Sequence, residues 1–273
     1  MALTADFHLH SNYSGDSTAK MEDMILSGIQ KGLTHMCFTE HHDIDYIHEN
    51  DREKEISFLL NVDSYLYELA TLKEKYINQI QLLFGVELGI QPHIKKDLLI
   101  FARGHEYDFI IASAHLCHRK DPYYPAFFEG RSDQEAYDEY FTSIIEDIKA
   151  FHNYDVFGHL DYAVRYGKTK NTEYSYLQHA DKIDEILKLL IENEKGIELN
   201  TGGFRAGLDA PNPCVDIIRR YKELGGEIIT VGSDAHRPED IGCEFAKASD
   251  ILKSLGFKYY TVYANRMPEM RIL

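Results

Sequence analysis

Asp6-Phe7-His8-Leu9-His10 closes the first apolar segment of a 273-residue chain. Side chains alternate along a strand, so His8 and His10 share a face and are spaced to hold one ion. The same event recurs down the chain, an apolar run ending on a residue type that binds metals. It appears in Cys37-Phe38-Thr39-Glu40-His41-His42, Leu82-Leu83-Phe84-Gly85-Val86-Glu87 and Ile110-Ile111-Ala112-Ser113-Ala114-His115. It appears again in Val156-Phe157-Gly158-His159 and in Ile228-Ile229-Thr230-Val231-Gly232-Ser233-Asp234-Ala235-His236. In a parallel α/β barrel the carboxyl ends of the strands converge on one face, so residues distant in sequence meet there. With Asp16 added, the set His8, His10, Asp16, His41, Glu87, His115, His159, Asp234 and His236 reads as a polynuclear metal site at that face.

Between these ends the chain alternates. Strands are expected over residues 3–8, 33–39, 80–86, 109–114, 156–158, 197–199 and 228–231. Helices are expected over 18–31, 56–78, 133–151, 180–193, 211–224 and 239–255, where apolar and charged residues recur at helical spacing. A polar segment spans 43–54, and a short strand over 259–262 closes the chain. No Pro/Gly/Ser-rich linker divides this alternation, so one α/β domain over 1–273 is the simplest organisation.

Composition narrows the partners. A formal net charge of -16 at pH 7 works against attraction to a nucleic-acid backbone or an anionic membrane, although bound divalent cations would offset part of it. A small soluble substrate fits better, with no polymeric nucleic acid and no membrane partner; the oligomeric state is left open. The amino terminus enters the first strand without a basic-plus-apolar leader, and no apolar run is long enough to span a bilayer. Cys37, Cys117, Cys214 and Cys243 form no CxxC pair, which suits packed thiols in a reducing cytoplasm.

Imidazole binds zinc, iron, manganese and cobalt, and a carboxylate can bridge two ions and lower their repulsion, so a His-rich set with three acids suits these metals better than calcium. A lone histidine is more often packed or exposed than ligating, and His35, His48, His93, His105, His152 and His179 are read that way. Taken in order, His8-Leu9-His10, Thr39-Glu40-His41, Gly85-Val86-Glu87, Ser113-Ala114-His115, Gly158-His159 and Ser233-Asp234-Ala235-His236 resemble the motifs of the PHP family, the polymerase and histidinol phosphatase superfamily of metal-dependent phosphoesterases. The resemblance runs from Asp6 to His236. It implies a distorted (β/α)7 TIM-like barrel and three divalent or transition-metal ions, with zinc, manganese or iron the expected elements. One ion would take His8, His10, Glu87 and Asp234, a second Glu87, His115 and His159, and a third Asp16, His41 and His236, with Glu87 bridging the first two.

Many family members carry histidine where this chain has Asp16, which makes the third site richer in oxygen; Asp16 is also spaced to cap a helix starting near Thr18. Asp6 reads as structural or as orienting a ligand histidine. Of the adjacent His41 and His42, the family's Thr-Asp-His spacing selects His41 as the ligand. That leaves His42 to face the substrate, as an acid toward the leaving oxygen, as a phosphate contact or as packing.

A phosphatase must hold nonbridging phosphate oxygens, and arginine's planar fork makes two charge-assisted bonds to them. Arg165, after His159-Leu160-Asp161-Tyr162-Ala163-Val164, and Arg205, after Asn200-Thr201-Gly202-Gly203-Phe204, fall in loops expected at the catalytic face. They resemble the phosphate-binding arginines of the family, with Arg119 ranked below them. The resemblance implies hydrolysis of L-histidinol phosphate to L-histidinol and phosphate in histidine biosynthesis, with metal-activated hydroxide as nucleophile. The stretch 121–129, aromatic and acidic, reads as a surface loop or as a lid over a cationic substrate. Three rivals stand beside this reading. One is a phosphoesterase of the same superfamily acting on nucleoside phosphates or short oligonucleotides, another a non-catalytic metal-binding regulatory module, against which the intact ligand set argues. The third is a metal-dependent amidohydrolase, whose barrel also begins with an HxH motif but for which no suitable lysine follows a strand.

Overall fold

The computed structural model describes residues 3–48 and 56–273, and part of the polar segment read over 43–54 lies outside them. Seven strands run parallel in chain order: β1 (Ala5–Leu9), β2 (His35–His42), β3 (Gln81–Gly89), β4 (Phe109–Ser113), β5 (Val156–Phe157), β6 (Gly196–Asn200) and β7 (Ile229–Gly232). Each is buried almost throughout, as expected for strands covered on both faces. The sheet curls until its ends meet. The Asp234 N–H donates to the His8 carbonyl at 2.7 Å and the His10 N–H to the Ala235 carbonyl at 2.9 Å, so β1 and the segment leaving β7 close the barrel at its carboxyl end. Asp6 reinforces this seam by accepting the N–H groups of Ser233 at 2.9 Å and Gly242 at 3.0 Å. It touches backbone and no imidazole, so its role is structural.

Helices cover the barrel: α1 (Met21–Gln30), α2 (Val62–Tyr76), α3 (Lys95–Gly104), α4 (Asp133–Ala150), α5 (Ala180–Glu192), α6 (Gly202–Arg205), α7 (Val215–Glu223) and α8 (Phe245–Ser254). The helix expected from residue 56 begins only at Val62, where Asn61 caps it through the Ser64 N–H. Residues 56–61 run instead alongside the end of β2, with the Asp43 N–H bonded to the Phe58 carbonyl at 2.9 Å. The expected start near Thr18 also fails, because residues 11–19 fold into turns under the site and α1 starts at Met21 after Lys20. Asp16 therefore caps no helix. α3, a short helix entered through Pro92, is not among the helices expected from the sequence.

The strand expected over 259–262 is the first half of a hairpin, β8 (Tyr259–Ala264) and β9 (Met267–Ile272). Its turn sits against the amino-terminal ends of the barrel strands, where Asn265 and Arg266 donate N–H groups to Asp108 at 3.0 and 2.9 Å. Tyr263 there packs on Phe109 at 4.9 Å, and Phe109 meets Phe7 edge to face at 5.3 Å. This aromatic stack fills the end opposite the expected site. Every residue of β9 is exposed, so it carries none of the burial pattern from which a strand is read.

α4 is fixed at its start by a reciprocal capping box of Ser132 and Glu135. It also buries Asp147, whose Oδ2 has no hydrogen-bond partner, and burial followed by the neighbouring Glu146 pushes this carboxyl up to about 8. The folded state thus binds the proton more tightly than the unfolded chain, whose aspartate titrates near 3.8. The stability conferred by the protonated form is complete below pH 3.8 and lost as pH rises through 8. Asp147→Asn is expected to melt several degrees above the wild type at pH 8, with the gap shrinking toward pH 5; a gap that is flat with pH would contradict this.

Candidate metal centre

Glu87, at the end of β3, is the hub. It is fully buried, and its Oε2 lies 3.2 Å from His8 Nε2, 3.5 Å from His10 Nε2 and 2.9 Å from His41 Nδ1. Its Oε1 lies 3.1 Å from His115 Nε2 and 2.9 Å from His159 Nε2. Asp234 Oδ1 approaches the Nε2 atoms of His8 and His10 at 3.7 and 3.6 Å. At the rim, Asp16 Oδ2 stands 3.2 Å from His236 Nε2 and 3.5 Å from His41 Nε2. All nine residues singled out in the sequence, contributed by strand ends and the turns beside them, therefore meet at one face of the barrel.

Hydrogen bonds behind the rings set which nitrogen faces inward. His8 Nδ1 is 2.7 Å from Glu198 Oε1, His115 Nδ1 is 2.7 Å from Asp43 Oδ1, and His236 Nδ1 is 3.1 Å from the Asp234 carbonyl. Each partner accepts only, which assigns the proton to Nδ1 and leaves Nε2 as the donor atom toward a metal. His10 follows by one more step. The Ser14 hydroxyl donates to Glu40 at 2.6 Å, so at 3.0 Å it can only accept from His10 Nδ1. Glu198, Asp43 and Glu40 were not singled out in the sequence. Glu40 and Glu198 carried a signal, each being an acid inside an apolar strand.

The fit to metal ions is tested by what these atoms lack. His8 Nε2, His10 Nε2, His41 Nδ1, Glu87 Oε2 and His236 Nε2 are buried without a hydrogen-bond partner. Orphaned polar atoms are costly and rare in folded proteins, and four imidazole nitrogens and a carboxylate oxygen left so at one face of the barrel fit ions to which all can donate. Three-residue ligand groups form around His8, His10 and Glu87, around Glu87, His115 and His159, and around His10, His41 and His236. His41, Asp43 and His115 make a fourth. Burial would raise the Glu87 carboxyl, but His8, His115 and His41 hold it well below the usual range. His8 responds in the opposite sense, with burial outweighed by Glu198, Glu87 and Asp234, so that its imidazole sits well above its ordinary value.

Arg165 and Arg205 both line the cavity above this cluster, a space of about 320 Å³. Arg165 is clamped by Asn212 Oδ1 at 2.8 Å, Asn200 Oδ1 at 3.0 Å and Asp234 Oδ2 at 3.0 Å. The clamp requires Gly202, where a β-carbon would lie 2.7 Å from Asn200 Oδ1 and 3.0 Å from Arg165 Nη2. Arg205 bonds the carbonyls of Ser233 and Asp234 at 2.7 and 2.8 Å. Arg119, the lower-ranked candidate, is exposed and pairs with Asp45, outside the cavity.

His42 does not face the cavity, which corrects the substrate-facing expectation. Neighbours in a strand point to opposite faces, so His41 enters the cluster while His42 stacks on Phe101 at 3.5 Å and accepts the Leu60 N–H at 3.2 Å. Burial pushes its imidazole down to about 4, leaving it neutral near pH 7. His42→Ala is expected to cost about 1–3 kcal/mol of stability, read by thermal melting, and to keep its metal; loss of bound metal would contradict this placement. His48, read as packed or exposed, and Asp121, Tyr123 and Tyr124 of the expected surface loop do line the cavity.

No helix of the described residues is long and apolar enough to cross a membrane. The PHP domain family model matches residues 6–202. The chain is 31% identical to the histidinol-phosphatase of Lactococcus lactis over 256 residues, covering 92% of this chain and 91% of that one. It is 32% identical to a probable histidinol-phosphatase of Thermotoga maritima over 272 residues, covering 98% and 99%. The crystal structure of Lactococcus lactis histidinol phosphate phosphatase, complexed with zinc, L-histidinol and phosphate, superposes with a TM-score of 0.89 at 29% identity, covering 97% of this chain and 98% of that one. With its seven-stranded barrel and strand-end histidine cluster, the chain belongs to the PHP domain family.

Proposed function

We propose that this protein is a metal-dependent phosphomonoesterase that hydrolyses L-histidinol phosphate to L-histidinol and phosphate, a step of histidine biosynthesis. The observation that carries the reading is the convergence of five unpartnered buried donor atoms beneath a cavity that two arginines line. The Lactococcus lactis enzyme, similar over nearly the whole chain, is the source of the substrate assignment.

His8, His10, Glu87 and Asp234 would hold one ion, Glu87, His115 and His159 a second, and Asp16, His41 and His236 a third, with zinc, manganese or iron the candidates. Bound there, such ions supply Lewis acidity and ready a water for attack at neutral pH. The remaining work falls to the protein. Arg165 and Arg205 hold the nonbridging oxygens and stabilise the charge that develops on them, and the bonds that clamp both guanidiniums remove the cost of orienting them during the reaction. Glu198, Asp43 and Ser14 keep His8, His115 and His10 in the metal-binding tautomer. The whole 273-residue chain acts as one catalytic unit on a small substrate, and its four free thiols suit a cytoplasmic setting.

Phosphate release from a panel of L-histidinol phosphate, nucleotides and generic phosphomonoesters tests the assignment. A strong preference for L-histidinol phosphate is expected. Preference for a nucleotide would overturn the substrate, and inactivity of fully metal-loaded protein would overturn the catalytic reading.

A further inference from the structure

Arg165 meets two asparagines, and behind each asparagine stands an acid. Arginine only donates, so its Nε at 2.8 Å fixes the Asn212 amide with Oδ1 forward, and its Nη2 at 3.0 Å does the same to Asn200. The amide nitrogens then point backward and need acceptors. Asp161 Oδ1 supplies one, 2.6 Å from Asn212 Nδ2, and Glu198 Oε2 the other, 3.1 Å from Asn200 Nδ2. The backbones of Asn200 and Asn212 exchange reciprocal bonds of 2.8 and 2.9 Å, so both amides hang from one bridge. With Nη1 on Asp234 Oδ2, every guanidinium nitrogen is engaged once, which leaves one N–H on each terminal nitrogen for an oxyanion.

Glu198 also holds His8, so a change there reaches a metal ligand. The bonds of Asp161 involve no ligand residue. Asp161 is 1% exposed, does not line the cavity and belongs to none of the ligand groups among the described residues. It precedes the helical turn Tyr162–Arg165, where an aspartate ordinarily caps, yet its side chain makes no such bond. The carboxyl reaches across instead to Asn212 and, through Oδ2 at 2.8 Å, to the Cys214 N–H at the start of α7. A buried carboxyl is costly to keep, and this one orients an amide.

We propose that Asp161 is a positioning residue for the reaction: it fixes the Asn212 amide, which in turn aims the Arg165 guanidinium at the phosphoryl group. This rests on Arg165 holding phosphate, as proposed above.

In Asp161→Asn a single side-chain oxygen faces two donors. The Cys214 backbone N–H cannot turn, so the Asn212 amide flips and points a donor at Arg165 Nε. The double variant Asp161→Asn/Asn212→Asp restores the order of donors and acceptors. In zinc-loaded protein, Asp161→Asn is expected to lower kcat/KM for L-histidinol phosphate about 10- to 100-fold and to weaken inhibition by inorganic phosphate about tenfold, with metal content unchanged. The double variant is expected to recover to within about fivefold of wild type. Losses that multiply in the double variant, or a single variant with wild-type kinetics, would overturn the proposal.

A readout without turnover accompanies these. In zinc-loaded protein carrying 15N-arginine, the Arg165 Nε–H resonance, identified by its absence in Arg165→Lys, is expected to be protected from exchange in wild type. It loses protection in Asp161→Asn and regains it in the double variant; an unchanged resonance in Asp161→Asn overturns the relay. If wild type does not hydrolyse L-histidinol phosphate, the function proposed above fails and this resonance alone decides the relay. If Asp161→Asn does not fold, Asn212→Ala, which keeps the Cys214 bond, takes its place. Kinetics and resonance equal to wild type then overturn the relay, and loss of both upholds it.

Discussion

Glu87→Gln is expected to lower phosphate release by about 10³-fold or more and to release more than one ion per chain. The reason is its position. Its two oxygens face five imidazoles, three through Oε2 and two through Oε1, so it is shared by ligand groups that the other residues serve separately. Glutamine keeps the shape but removes the negative charge that draws cations into a buried site, and its N–H group hydrogen-bonds lone-pair nitrogens that would otherwise hold a metal. Ser113, which donates to Glu87 Oε1 at 2.6 Å, can still bond the amide carbonyl, so the strand end stays in place. Metal analysis beside kcat/KM reads the effect, and circular dichroism confirms the fold. Retained metal with activity within tenfold of wild type would remove Glu87 from the hub.

Arg205→Ala is expected to reduce kcat/KM by about 10²-fold while the metal content holds, the loss of one preorganised donor to a phosphoryl oxygen. Arg205 reaches the cavity from α6, and its anchors are the carbonyls of Ser233 and Asp234 rather than any ligand side chain. Truncation therefore removes a charge from the cavity without opening the ligand set. Arg165 makes a less clean test because it bonds the Asp234 carboxylate itself. The contrast between Glu87→Gln and Arg205→Ala is the informative comparison. Equal metal loss in both would mean that the arginine belongs to the ligand scaffold and that its assignment to phosphate is wrong.

What the sequence disclosed follows from what its residues had to satisfy. His8, Glu87, His115, His159 and Asp234 were legible because strand ends in a parallel barrel share one face, so position in the chain translates into position in space. The pairing of β1 with β2 slips between Asp6 and Leu9, yet His8 and His10 still meet at Glu87, so the period-two argument reached the right pair through an irregular strand. Adjacent residues were harder. The family motif singles out His41, which faces Glu87, but only Phe101 on α3, a helix missed in the sequence, reveals where His42 packs.

The wall of the cavity was the least legible part. Tyr46, His48, Phe58 and Asp121 come from irregular segments whose course depends on tertiary bonds, such as that from the Asp43 N–H to the Phe58 carbonyl. Neither helical nor strand periodicity registers such bonds. The acids behind the histidines were hidden differently. Glu40 and Glu198 lie within strands and were read only as members of them, although a buried charge needs a partner and so signals one.

The most direct test adds metal back to chelated protein in measured equivalents and follows phosphate release from L-histidinol phosphate on the same sample. Negligible release from the metal-free protein is expected, rising as ions bind and levelling at about three per chain. Undiminished release from the metal-free protein would contradict the account.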